Sequence, residues 1–356
     1  MIKYMGSKKY LLSNGLGKLV IEKAKKSNRF FDLFSGSSAV VWYVARKINK
    51  KIIAGDIQEY SVILANAVLK RTKEYNTQSL NRNWINRSRK EYIQLIKSKV
   101  KLNGSSNIIQ SAYGGYYFSP NQAMIFDLLL KNIPKREPSK SIAKAALIIA
   151  ASQCVASPGH TAQPFKPTTK GVRFITEAWH KDPFHYTEKA LANIATKFAK
   201  KKGEAKLIDA NALAEEVNKG DLVFIDPPYS GVHYSRFYHV LETIARGKKV
   251  KVSGEGRYPP KCERPSSNYS LRSFSKSAIK ELIEKLAEKQ ANVIITFPKG
   301  TASNGLSGKY IKSVAQKYFT IEQEEIKSSL STLGGNIAIR PARKKSNEMI
   351  LYLEPK

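Results

Sequence analysis

The chain has 356 residues, 42% of them hydrophobic, enough for one large domain or two smaller ones with a sizeable core. Lys and Arg number 61 against 28 Asp and Glu, a formal net charge of +33, which points to a polyanion, nucleic acid first, as the partner. The composition excludes a disordered basic tail, a collagen and an acidic-protein binder. Two cysteines, Cys154 and Cys262, are too few for a disulfide framework or a four-cysteine zinc site, and the five histidines show no metal-ligand spacing, so no metal is expected. The first residues lack the apolar core of a signal peptide. The longest apolar stretch, from Ala145, is too short to span a membrane. A reducing, cytoplasmic location is the expectation.

Short apolar runs alternate with amphipathic stretches, which predicts an α/β fold with a parallel sheet. Strands are expected at residues 30–34, 51–55, 205–209, 221–225 and 292–297. Two more, at 318–325 and 347–353, follow with an antiparallel pairing at one edge; the loop joining them holds Gly334, Gly335 and a basic RPARKKS run. Residues 1–69 form a first part of the main domain. Residues 70–200 form a mainly helical insertion, basic at 70–101. Residues 201–247 return to the main domain. Residues 248–290 give a Pro/Gly/Ser-rich loop and a helix near 278–289, and residues 291–356 complete the sheet.

Four polar clusters fall at the carboxyl ends of successive strands, where open α/β sheets bind ligands. The sharpest is Asp226-Pro227-Pro228-Tyr229, directly after LVFI. Two prolines end the strand, because neither donates a ladder hydrogen bond. The residues suit activation of an exocyclic amine: Asp226 accepts one N–H, the Pro227 carbonyl accepts the other, and Tyr229 stacks on the base. A rigid turn with a capping Asp and a packed Tyr accounts for the same four residues equally well. The others are weaker alone. FDLFSGSS at 31–38 is a small-residue turn with one glycine, unlike the dinucleotide fingerprint. Asp56 closes KIIAGD and suits ribose hydroxyls, or caps a helix. Asp209 and Ala210 close LID in the same way.

Together these segments resemble the D12 class of adenine-specific DNA methyltransferases, the Dam-like family. KYMGSK at 3–8 is similar to that family's opening segment, and FDLFSGSS to its F-x-D-x-F-x-G-x-G loop, with Ser38 in place of a glycine. GDIQ, LIDAN and DPPY follow in the family's order, and the likeness runs from Lys3 to the terminal strand. It implies a Rossmann-like, seven-stranded methyltransferase sheet with an antiparallel last hairpin, and methyl transfer from S-adenosylmethionine to adenine N6 in a specific DNA sequence, with the base flipped out. It implies Asp32, Phe34 and Gly36 around the methionine part of the cofactor, Asp56 on the ribose and Asp209-Ala210 beside the adenine. Tyr4, Met5, Gly6 and Lys8 line the opening segment. Asp226, Pro227, Pro228 and Tyr229 are catalytic.

Double-stranded DNA is the expected partner, with no membrane. A restriction endonuclease in the same system and the oligomeric state stay open. Tyr234 and Arg236, close to the catalytic tyrosine, are expected to touch substrate ahead of His160 or His239. Arg257, Arg264 and Arg272 in the loop at 253–277 are expected to read bases, while the basic insertion, with Trp84 and Tyr92 among its arginines, adds nonspecific affinity. Cytosine-C5 chemistry is excluded, since neither cysteine follows a proline. An RNA adenine-N6 methyltransferase and a non-catalytic DNA-binding subunit of the same fold are the alternatives.

Overall fold

The computed structural model describes residues 2–4, 8–98, 107–331 and 343–356, without the side chains of 327–331 and 343–346. Met5, Gly6 and most of the loop with Gly334 and Gly335 therefore lie outside the described residues. The chain divides into two compact units. One comprises Met1–Tyr4, Lys73–Phe198 and Ser235–Pro265; the other comprises Met5–Thr72, Ala199–Tyr234 and Ser266–Lys356.

The second unit holds the sheet. Its strands are β1 (Arg29–Asp32), β2 (Lys51–Asp56), β3 (Glu204–Leu207), β4 (Leu222–Ile225), β5 (Asn292–Pro298), β6 (Phe319–Ser331) and β7 (Arg343–Pro355). Among the described residues they form one seven-stranded sheet in the order β3-β2-β1-β4-β5-β7-β6. β1 to β5 are parallel. β7 inserts antiparallel between β5 and β6, as the Rossmann-like methyltransferase topology requires. The central strands are apolar between their ends because both faces are covered: all four residues of LVFI in β4 are buried. On one face the helix Ser275–Glu288 places Ile279, Leu282 and Leu286 against Val223, Ile225 and Val293.

Chain order reverses between β1 and β4, which are neighbours although Asp32 and Asp221 are 189 positions apart in the sequence. Such a reversal opens a crevice at the carboxyl ends of the two strands. Register carries Asp32 level with Phe224, so the end of β1 lies beside the start of DPPY. At the opposite end of the same strands Arg29 grips the buried Asp221, with Nη2 2.6 Å from the carboxylate and Nε 3.1 Å from both its oxygens.

The other unit is helical. The basic segment is tied into the core of this unit at one turn, while most of its side chains stay exposed or half-buried. A π-helical turn, Asn81–Asn86, precedes the helix Arg87–Ser98 and buries Trp84 and Ile85 completely. Trp84 Nε1 donates to Leu129 O at 2.8 Å, so Trp84 is core and not a contact for DNA. Tyr92 lies edge-on to Phe184, and Arg89 pairs with Glu188 at 2.6 Å. Asp127 is buried and accepts from Ile109 N and Gln110 N, capping the helix Ile108–Tyr113. The loop 253–277 divides between the units after Pro265, so its arginines do not share one surroundings.

Asp221→Ala leaves Arg29 without its partner beneath β1 and β4. Loss of about 3–5 kcal/mol is expected, read from urea unfolding, because a half-buried charge loses its counter-ion. A midpoint unchanged from wild type would show the pair to be a surface feature.

Candidate active site

β4 delivers Asp226 to the crevice and the two prolines stop the chain there. Asp226 is half-buried, Pro227 is buried, and Tyr229 is half-buried against the sheet core. The Asp226 carboxylate is held through one oxygen: Lys8 Nζ lies 2.8 Å from Oδ1, and Thr296 Oγ1 donates to the same atom at 3.1 Å. Oδ2 has no protein donor among the described residues and is left to accept from elsewhere. The Pro228 carbonyl is occupied by Asn304 Nδ2 at 2.7 Å, whereas the Pro227 carbonyl receives no such bond among the described residues. Asn304 is itself completely buried and also donates to Tyr269 O, fixing the turn from β5's side of the sheet.

Lys8 is only 5% exposed, and its ammonium lies equally close, 2.8 Å, to Glu348, which is 2% exposed. One buried cation thus bridges two carboxylates. Burial opposes the Lys8 charge, but Asp226 and Glu348 outweigh it and hold its pKa above the ordinary lysine range. Burial pushes the Asp226 carboxyl up to about 6; Lys8 draws it back down and Glu348 adds to the rise. The Tyr229 hydroxyl is raised to about 12 by burial and stays protonated at neutral pH.

At the end of β1, Asp32 is 1% exposed and, among the described residues, accepts only a long bond from Phe34 N, 3.3 Å. Burial raises its pKa to about 8, with Asp226 and Asp56 adding to the rise, and no cation among the described residues offsets them. After β1 the chain turns through Gly36 (φ 47°) and Ser38 (φ 59°), both left-handed. Glycine adopts that conformation without strain. Ser38 is the costlier residue; it lies at the N-cap of the helix Ala39–Ala45. Asp56 ties this turn to β2: Oδ2 accepts from Gly36 N at 2.8 Å and from Ser61 Oγ at 3.0 Å, and Oδ1 accepts from Gln58 N. Burial raises the Asp56 pKa while these donors lower it. Asp209 caps the helix Ala210–Leu213 by accepting from Asn211 N, so the capping alternative is realised there. Asp209 stays exposed and Ala210 is buried. Phe34 meets Tyr269 edge-on at 4.9 Å, and Tyr269 donates to Asn211 Oδ1.

The structure therefore brings Lys8, Asp32, Phe34, Gly36, Asp56, Asp209 and Asp226 to the strand ends of one unit. Tyr4 belongs to the other, where it stacks on Tyr238 at 4.7 Å. Tyr234 lies edge-on to Tyr229 at 6.4 Å. Arg272 is exposed near Gly305. Arg236, Arg257 and Arg264 lie in the helical unit; Arg257 donates to Ala112 O and Ser111 O at the end of a helix. His160 is half-buried against Phe237, and His239 is buried. Sequence reasoning missed Glu348, Thr296, Asn304 and Ser61. One signal was present for Glu348, an acid entering the apolar run MILYL. Among the described residues no group of three His, Cys, Asp or Glu could hold a metal, and no helix is long and apolar enough to cross a membrane.

This chain belongs to the D12 class N6 adenine-specific DNA methyltransferase family, which matches it over residues 4–296. The modification methylase StsI of Streptococcus sanguinis is 24% identical over 299 residues, 83% of this chain and 44% of that protein. The modification methylase LlaI of Lactococcus lactis subsp. lactis is 23% identical over 291 residues, covering 80% and 44%. A shorter stretch of 77 residues is 42% identical to the type II methyltransferase M.FokI of Planomicrobium okeanokoites, covering 22% of this chain and 12% of that protein. The chain thus spans less than half the length of these relatives.

Two substitutions around Lys8 should move the Asp226 titration in opposite directions. Lys8→Met removes the neighbouring cation, so the Asp226 pKa rises above about 6. Glu348→Gln removes a neighbouring anion, so it falls. Carboxyl-carbon NMR titration reads both, and shifts of the same sign would refute the bridge.

Proposed function

We propose that this protein transfers a methyl group from S-adenosylmethionine to the N6 amine of adenine in duplex DNA, at a specific sequence and with the target base turned out of the helix. The observation that carries this reading is the Asp226 carboxylate at the end of β4, gripped among the described residues through Oδ1 alone, beside a Pro227 carbonyl that receives no hydrogen bond from them. An exocyclic amine presents two N–H groups. Asp226 Oδ2 and Pro227 O accept one each, which draws the nitrogen lone pair out of the ring and toward attack. The Tyr229 ring holds the base by stacking. The amine must then lose a proton, and a carboxyl with a pKa of about 6 can take it.

The cofactor reading rests on the acids along β1 and β2. Asp32 is a buried carboxyl with no cation of its own among the described residues, which suits an α-ammonium group. Asp56 keeps the turn at Gly36 closed up to β2 and offers Oδ1 toward ribose hydroxyls. Phe34 and Ala210 supply apolar surface for the rest of the molecule. Bound there, S-adenosylmethionine supplies an electrophilic methyl group. Lys8, assigned by resemblance to the opening segment of the cofactor site, acts in this reading on Asp226 instead. We extend the reading to a paired restriction endonuclease, since StsI and LlaI are modification methylases by name.

Incubation of the purified protein with labelled S-adenosylmethionine and duplex DNA, followed by nucleoside analysis, tests the function. N6-methyladenine is expected. Labelled RNA, labelled cytosine or no transfer would defeat it. Asp226→Ala should reduce the rate by about 10²–10³-fold, the loss typical of one preorganised electrostatic partner. Tyr229→Ala should lose about 1–3 kcal/mol of base binding, and Tyr229→Phe much less.

Asp32 gives a separate thermodynamic test. At pH 7 its carboxyl, with a pKa of about 8, is mostly protonated in the free protein. Binding of a cationic ligand favours the ionised form, so cofactor binding should release close to one proton, a value obtained by calorimetry in buffers of different ionisation enthalpy. Asp32→Asn should abolish the release and weaken binding. Asp56→Ala should weaken cofactor binding with less effect on DNA binding; equal effects on both would leave Asp56 as a structural tie only.

A further inference from the structure

In the helical unit, the loop at Ser253–Tyr258 is closed by two backbone hydrogen bonds, Ser253 N to Tyr258 O and Tyr258 N to Ser253 O, each 3.0 Å. The Tyr258 hydroxyl donates to Ala162 O, so both ends of the residue are fixed. Two guanidinium groups lie against its ring: Arg236, exposed, 4.5 Å from the ring centre, and Arg264, half-buried, 5.6 Å from it. Under the ring lies His239, 1% exposed, 5.0 Å from Tyr258 and flanked by Tyr113 and Tyr117. Burial drives the His239 pKa down to about 3, with Arg264 and Arg236 pushing the same way. The floor of the assembly is therefore neutral.

Neither arginine forms an ion pair among the described residues. Of the acids nearby in sequence, Glu242 pairs with Arg246 at 2.9 Å and Glu255 with Lys166 at 2.9 Å, while Glu263, next to Arg264, is exposed and forms no ion pair with either arginine among the described residues. Arg264 Nε is buried and has no acceptor among the described residues. A buried donor without an acceptor is costly unless a partner arrives. Stacking on a fixed tyrosine holds a guanidinium plane in place, and a guanidinium fork held in this way suits a phosphate. Arg257 contrasts with the pair: its Nε and Nη2 close the end of the helix Ile108–Tyr113 through Ala112 O and Ser111 O.

We propose that Arg236 and Arg264, held on the Tyr258 ring, clamp backbone phosphates of duplex DNA and position the duplex without reading its bases. The proposal rests on the action on duplex DNA argued above, and it moves Arg264 from sequence reading to backbone contact.

The test measures binding of a fluorescent duplex by wild type, Arg236→Gln and Arg264→Gln across a range of potassium chloride, with the methylated sequence mapped in parallel. Each substitution should reduce the slope of log affinity against log salt by about 0.9, the increment for one phosphate. Each should weaken unrelated duplexes as much as the methylated one and leave the methylated sequence unchanged. Arg236→Lys and Arg264→Lys should keep the wild-type slope, which separates charge from folding. An unchanged slope in both Gln variants, or a changed methylated sequence, would overturn the clamp. A duplex RNA that competes as well as DNA would overturn the DNA assignment. Methyl transfer by the wild-type preparation is assayed alongside: its absence defeats the proposed function, whereas the slopes report on the clamp by themselves.

Discussion

One buried ammonium, Lys8, organises the candidate site. It lies 2.8 Å from Asp226 at the end of β4 and 2.8 Å from Glu348 on β7. A lysine this deep is tolerated only because two carboxylates share it, and a carboxylate as enclosed as Asp226 stays ionisable near neutrality only because the lysine is there. Neither charge is stable in that place without the other. The antiparallel insertion of β7 beside β5 matters for this reason, since it carries Glu348 to the active edge of a sheet that is otherwise parallel. The pairing of Pro298 with Glu348 fixes that register.

The same balance governs what Asp226 can do. Lys8 and Thr296 both engage Oδ1, so the carboxylate is oriented without being saturated. Asn304 occupies the Pro228 carbonyl and so distinguishes two adjacent carbonyls that the sequence makes look equivalent. Asp32, one strand away, carries the opposite condition: a buried acid with no cation among the described residues. The two acids differ in partner as well as in burial, and the difference in partner separates an acceptor for an amine from a seat for a positively charged ligand.

Much of this was legible in the sequence for local reasons. β1, β2, β4 and β5 are short apolar runs ending in an acid or a proline, and the residue types that stop a strand are also those that bear the chemistry. Element ends moved by one or two residues, as at Asp209, which leaves its strand to cap a helix. What was not legible is contact between distant segments. Nothing near Lys8 points to Glu348, 340 positions away, and nothing near Pro228 points to Asn304. The basic insertion was legible in part: its charges indicate a solvated face, which most of the helix Arg87–Ser98 keeps, but nothing local shows that Trp84 and Ile85 bury themselves against helices further along the chain. The arginines of the loop at 253–277 look alike in sequence, yet Arg257 holds a helix end while Arg264 lies on Tyr258.

The pH dependence of single-turnover methyl transfer, at saturating cofactor and DNA, bears most directly on the central role given to Asp226. An ionised acceptor whose carboxyl titrates at about 6 requires the rate to fall below that pH with the uptake of one proton. A rate that stays flat from about pH 8 down to about pH 5 would contradict the account, because the carboxylate would then not be the group that draws out the amine.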